Sequence, residues 1–196
     1  LGINRVSLGG QSFDDGVLEG LGRRHRASQL REACGWLRQA QQKAQLQSWS
    51  LDLIVNLPHQ SPAAWDWELT QALAQAPPHL SIYDLIVEPG TVFAWRQHRG
   101  ERPLPEDDQA ADQLQSTHHR LEAAGYGHYE ISSWALPGQA SRHNRVYWSG
   151  ADWWALGLGS TAGMGGQRLA RPRTRQAYAD WVAQQAGLQC QGSGAG

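Results

Sequence analysis

The chain has 196 residues, 40% of them apolar and 18% charged; this is globular composition with room for one domain or one and a half, and it excludes wholesale disorder. Lys and Arg number 17 against 18 Asp and Glu, a net charge of −1, so the basic excess of a nucleic-acid-wrapping protein is missing. Mean hydropathy is −0.56, and no run approaches the roughly 18 apolar residues of a transmembrane helix. The two cysteines, Cys34 and Cys190, are too distant in sequence to form a chelating motif, and such sparse usage suits a reducing, cytoplasmic compartment. The chain opens at Leu1 rather than Met and reads as a fragment whose upstream part is missing.

Strand and helix signals alternate over the first 125 residues. Ile3, Val6 and Leu8 mark a strand closed by Gly9-Gly10. Leu30, Cys34, Leu37, Ala40 and Ala44 recur at helical spacing. Leu51 to Leu57 is an apolar run stopped by Pro58, the pattern of a strand buried on both faces. Ser61-Pro62 starts a helix with stripe residues Trp65, Leu69, Ala72, Leu73 and Ala76, ended by Pro77-Pro78. Leu80 to Val87 predicts a third strand, and Ala111, Leu114, Leu121 and Ala124 a helix capped by Gly125. Strands starting near residues 3, 51 and 80, joined by helices, predict a parallel α/β sheet. With no phosphate-binding glycine fingerprint after the first strand, a barrel-type arrangement is preferred to a Rossmann sheet. Three strands cannot close a barrel, so the open edge and an uncovered apolar strand face predict aggregation of the isolated chain. Farther on, Tyr126 to Trp134 predicts a strand, and the Gly- and Trp-rich stretch 147–166 predicts tight turns or close backbone approach. Gln176 to Ala186 predicts a short helix, and 191–196 a disordered tail.

Functional side chains of parallel barrels gather at the C-terminal ends of strands. Gln11, Asp52 and Glu88 fall there. An Asp within an apolar strand is expensive unless it caps a turn, pairs with an Arg or serves a ligand. Gln11 either ties a loop or binds, and Arg23-Arg24 begins as a solvated charge pair.

Eight motifs occur in order: Gly-Gly-Gln-Ser-Phe (9–13), Leu-Gly-Arg (21–23), Leu-Asp-Leu-Ile-x-x-Leu-Pro (51–58), Leu-Ser-Ile-Tyr (80–83), Glu-Pro-Gly-Thr (88–91), His-Tyr-Glu-Ile-Ser (128–132), Ser-Arg-His-Asn-x-x-Tyr-Trp (141–148) and Leu-Gly-Leu-Gly (156–159). Over residues 2 to about 183 the chain resembles the radical S-adenosylmethionine proteins related to oxygen-independent coproporphyrinogen III oxidase, with the nearest likeness in the HemW-type haem chaperone branch. The resemblance implies the C-terminal half of a partial (β/α)6 TIM-like barrel over 1–125 and part of a C-terminal extension over 126–190. It implies S-adenosylmethionine as cofactor, with Gln11 and Asp52 on the ribose hydroxyls and Arg23 on the methionine carboxylate, roles that suit an amide, a carboxylate and a guanidinium. It also implies a 4Fe–4S cluster on a Cys-x-x-x-Cys-x-x-Cys motif that this chain lacks, so no metal ligand is expected here.

Two departures stand out. The family's usual Tyr-Gly-Leu-Pro-Gly-Gln is Val55-Asn56-Leu57-Pro58-His59-Gln60, which predicts a differently shaped loop. Its later Gly-Ala-Gly-Ala-His-Ser is Gly157 to Ala162, without the histidine. His143-Asn144-x-x-Tyr147-Trp148 matches a motif that the resemblance links with haem, with a turn at Arg142 to Asn144 setting the imidazole beside the rings; His143 and Asn144 otherwise simply cap a turn. His118 and His119 are expected to be solvated. The implied function is a haem chaperone with haem and a haem-acceptor protein as partners. The alternative is the oxidase, with a porphyrinogen substrate.

Overall fold

In the computed structural model, which describes residues 2–101 and 103–192, the elements follow from alternation and capping. The chain forms two compact units, 1–140 and 141–196. The first holds β1 (Arg5–Gln11), α1 (Asp15–Gly20), α2 (Ala27–Gln42), β2 (Ser48–Val55), α3 (Pro62–Ala74), β3 (His79–Asp84), α4 (Val92–His98), α5 (Asp107–Ala123), β4 (Gly127–Glu130) and β5 (Ser133–Ala135).

The sheet order is β1-β2-β3-β5-β4. β1, β2 and β3 are parallel, as expected of strand–helix repeats, and β5 runs antiparallel to β3 and β4. β2 begins earlier than its apolar run, because Ser48 and Ser50 extend a period-two pattern. Trp49, Leu51, Leu53 and Val55 are fully buried and pack with Leu80 and Ile82 of β3, Leu30 of α2, Trp65 and Leu69 of α3 and Leu121 of α5. The other face carries Ser7, Ser50 and His79 in one register row and Gly9, Asp52 and Ser81 in the next. That face is therefore polar, not the apolar face expected of an open half-barrel, while β1 remains an edge strand.

α3 starts as its sequence predicts: Ser61 Oγ accepts from Ala64 N at 3.2 Å, and Pro62 takes the first helical position. Trp65 and Thr117 tie α3 to α5, indole Nε1 donating to the hydroxyl at 2.7 Å in a buried contact. Cys34 is buried on α2, and burial pushes its thiol up to about 11.

Several expectations are corrected. The strand expected over 80–87 stops at Asp84, and Glu88 is exposed in an irregular segment before Gly90 at φ +81°. The strand expected over 126–134 is the hairpin of β4 and β5, broken where Ser132 N donates to Glu130 Oε2 at 3.2 Å. That hairpin joins the first unit's sheet through β5. His118 is half-buried, its ring edge on to His128, which stacks on Trp134. His119 is exposed.

The second unit holds α6 (Arg142–Trp148), β6 (Thr161–Met164), β7 (Gln167–Ala170) and α7 (Arg175–Gly192). Gly165 and Gly166, at φ +57° and +76°, make the two-residue turn between β6 and β7. At Gly163 an added Cβ would lie 2.4 Å from the Trp153 ring, a close approach that only glycine allows. The Arg171 guanidinium lies over the rings of Trp154 and Trp181, 4.8 and 4.3 Å from their centroids. α7 runs on to Gly192 across the start of the expected tail, and 193–196 lie outside the described residues.

Candidate functional site

Gln11 sits at the C-terminal end of β1, where the pairing with β2 slips: Gly9 faces Asp52, and Gln11 faces Leu53. The slip ends in a three-residue turn. Ser12 N donates to Gly10 O at 2.9 Å, and Gln11 between them has φ +68°. The turn folds the Gln11 side chain back along its own strand, so that an added Cβ on Gly9 would lie 2.8 Å from Gln11 Nε2. Gly9 is the register partner of Asp52, and register partners of a parallel pair share a face. The Gln11 amide thus lies over Gly9 on the polar face, the face to which the register partner Asp52 contributes its carboxylate.

Asp52 is half-buried, and none of the ion pairs among the described residues involves it. Its Oδ2 accepts from Ser7 Oγ at 2.7 Å and its Oδ1 from Ser50 Oγ at 3.2 Å. A carboxylate has about four acceptor positions, so two remain for further donors such as vicinal hydroxyls. In the next register row, Tyr83 is partly exposed. Burial pushes its phenol up, against a Ser81 hydrogen bond and with the charges of Asp52 and Glu130 adding to the shift. At the other end of the polar face His79 is buried, and its Nε2 meets the Tyr129 hydroxyl at 2.7 Å. Burial lowers the His79 imidazole to about 4, and the nearby Arg5 charge adds to this.

Arg23 stands apart from that pair. α1 ends in a Schellman turn, with Arg23 N donating to Leu18 O and Gly22 N to Glu19 O, both at 2.9 Å. Gly22 supplies the required positive φ of +70°. The turn leaves the Arg23 side chain exposed, with its guanidinium fork open for a carboxylate. A cleft of about 450 Å³ opens beside α1 and is lined in part by Val17, Leu21, Leu57, Pro58 and His59; Gln11, Arg23 and Asp52 do not line it.

Asn56 and His59, which stand where the family pattern has glycine, both take left-handed backbone, at φ +59° and +60°. Asn56 makes use of its side chain there. Its Nδ2 donates to Asp84 Oδ1 at 2.9 Å and its Oδ1 accepts from Gln113 Nε2 at 2.7 Å.

Sequence reasoning missed Glu68. Its carboxylate lies on the apolar face of α3 and is 4% exposed. The signal was present, since position 68 is three residues beyond Trp65 and four before Ala72, on the buried stripe.

In the second unit, residues 142–144 form the first turn of α6, not an isolated turn. Ser141 caps that helix, its Oγ accepting from Asn144 N at 3.3 Å. The helix sets His143 and Tyr147 one turn apart, with rings edge on at 4.9 Å and the Tyr147 hydroxyl 3.1 Å from His143 Nε2. Tyr147 also meets the Trp153 ring edge on, at 4.8 Å, and Trp148 is exposed. Asn144 Oδ1 accepts from Ser141 Oγ at 3.3 Å, a capping contact.

A 4Fe–4S cluster requires three thiolates from its motif, and this chain has two cysteines far apart. Among the described residues no group of three or more His, Cys, Asp or Glu side chains could hold a metal ion, and no helix is long and apolar enough to cross a membrane.

No protein-family model matches the chain. It is 43% identical over 182 residues to the heme chaperone HemW of Synechocystis, an alignment covering 93% of this chain and 43% of that protein. It is 40% identical over 167 residues to the heme chaperone HemW of Escherichia coli, covering 81% of this chain and 40% of the relative. Among solved structures, the radical SAM enzyme coproporphyrinogen III oxidase HemN of Escherichia coli superposes with a TM-score of 0.72 at 23% identity, over 94% of this chain and 44% of that one, and so shares the α/β fold. By sequence the chain belongs to the HemW-type branch of the radical S-adenosylmethionine proteins, and it spans less than half the length of the curated relatives it matches.

Proposed function

We propose that this chain is the portion of a HemW-like haem chaperone that holds the nucleoside and methionine ends of S-adenosylmethionine and one side of a haem. Residues 1–125 would be the second half of the radical S-adenosylmethionine barrel and 126–190 part of its C-terminal extension. The observation that carries the reading is the Gln11 amide folded over Gly9, the register partner of Asp52. Asp52 accepts from the ribose hydroxyls, Gln11 donates to or accepts from them, and the exposed Arg23 forks onto the methionine carboxylate. The cofactor, when bound to a cluster, supplies radical chemistry. The cluster's thiolates are not in this chain, so its residues bind and orient only. The protein acts in the cytoplasm and passes haem to an acceptor protein.

For haem, the exposed rings of Tyr147 and Trp148 offer stacking surface and His143 an imidazole. Iron would take His143 Nδ1, or Nε2 after displacing the Tyr147 hydroxyl. Identity favours the chaperone over the oxidase, because the relatives at 43% and 40% are haem chaperones, while the oxidase likeness is one of fold. Haemin titration tests the reading. His143→Ala should shift or abolish the Soret band of the complex, and His119→Ala should leave it unchanged. An identical spectrum and affinity in the His143 variant would show that this histidine serves only α6.

A further inference from the structure

The segment that presents Gln11 is held in place from outside the proposed ribose site. At φ +68°, inside a turn closed by the Ser12 N to Gly10 O bond, Gln11 occupies a conformation that side-chain-bearing residues rarely adopt. Such strain persists only where surrounding structure imposes it. Here the next two residues are gripped by one carboxylate. Glu68 Oε1 accepts from Ser12 Oγ, and Glu68 Oε2 accepts from Phe13 N at 2.8 Å. Ser12 Oγ in turn accepts from Asp14 N at 3.0 Å, and Asp14 caps α1 through Val17 N at 2.9 Å. One buried carboxylate therefore ties the turn around Gln11 to the start of the helix that leads to Arg23.

Packing gives no reason for a carboxylate at position 68. It sits among Trp65, Leu69 and Ala72 on the buried side of α3, where a leucine would fill the space without a desolvation penalty. None of the ion pairs among the described residues involves Glu68. Its two oxygens are spent on the loop, which is the use that offsets its burial.

We infer that Glu68 is a positioning residue for Gln11, holding the strained turn that keeps the Gln11 amide over Gly9, the register partner of Asp52. The inference rests on the ribose-binding reading. Its test is a double-mutant cycle on this chain, with S-adenosylhomocysteine as the probe, titrated calorimetrically. Glu68→Gln keeps the volume and one acceptor but turns an amide donor toward the other loop donor. It should weaken binding about ten-fold, as Gln11→Ala should, the loss of one hydrogen bond to ligand. The double variant should bind no more weakly than Gln11→Ala alone. Amide exchange at Ser12 and Phe13 should accelerate in Glu68→Gln while Leu51 to Val55 keep their protection. If Glu68→Gln fails to fold, Ser12→Ala removes one arm of the grip without touching α3 and should lower affinity in the same non-additive way. Additive losses, or unchanged affinity in the folded Glu68 variant, would overturn the inference and leave ribose binding standing. A wild-type chain that does not bind the probe would overturn both.

Discussion

Asp52→Ala separates ligand binding from folding at the proposed ribose site. Asp52 accepts from Ser7 and Ser50, but Ser50 Oγ also reaches Ser7 Oγ at 2.9 Å, so the two hydroxyls keep each other once the carboxylate is gone. Ser7 is exposed and can turn to water. The stability loss should therefore stay within about 1 kcal/mol, the ordinary net worth of one hydrogen bond. Binding is different, because both remaining acceptor positions of Asp52 would face the ligand. Losing hydrogen bonds to a half-buried charged group costs about 1–3 kcal/mol, or roughly 5- to 150-fold in Kd. Asp52→Asn keeps one acceptor oxygen and should fall between wild type and Asp52→Ala. Calorimetric titration with S-adenosylhomocysteine, alongside a thermal melt of each variant, measures both quantities. Affinity within two-fold of wild type in a folded Asp52→Ala chain would refute the reasoning, since the carboxylate would then be a structural acceptor for two serines and nothing more.

Two further predictions concern stability. Below ~6.5 the unfolded chain protonates His79 while the folded chain, with that imidazole near about 4, does not, so stability should fall as pH drops through this window, by up to roughly 3 kcal/mol. His79→Gln should flatten the difference between urea midpoints at pH 7 and pH 4.5, and an unchanged difference would exonerate His79. Gly10→Ala places a Cβ 2.9 Å from both Leu30 Cδ2 and Leu51 Cδ1 and should destabilise by about 1–3 kcal/mol, whereas Gly35→Ala, in the middle of α2 with nothing within 4 Å, should stabilise by about 0.5–1 kcal/mol. Thermal melts that rank the two the other way would show that the contact of β1 with α2 is looser than described.

Much of this protein follows from local pattern and order. The Ser61-Pro62 start of α3, the apolar run within β2 and the return of strand signals after each helix need only capping chemistry and burial, and they specify a parallel α/β sheet; that β2 buries one face and turns Ser50 and Asp52 to a polar one is not in that reading. Asp52 stood out because a carboxylate between leucines is costly wherever it lies. What needed the tertiary structure was everything set by contacts distant in sequence or by backbone without a side-chain signature. The break of 126–134 into β4 and β5 depends on pairing with β3, which periodicity cannot see. The strained turn at Gln11, with a residue other than glycine at positive φ, leaves no mark in composition. Glu68 reads as one more charge on a helix until α3 packs and its carboxylate meets Ser12 and Phe13, more than fifty positions earlier in the chain. Spacing along the chain reports burial, and so it located the strands and the costly aspartate. Only folding decides which distant donors a buried carboxylate meets, and at Glu68 that choice is what holds the turn at Gln11.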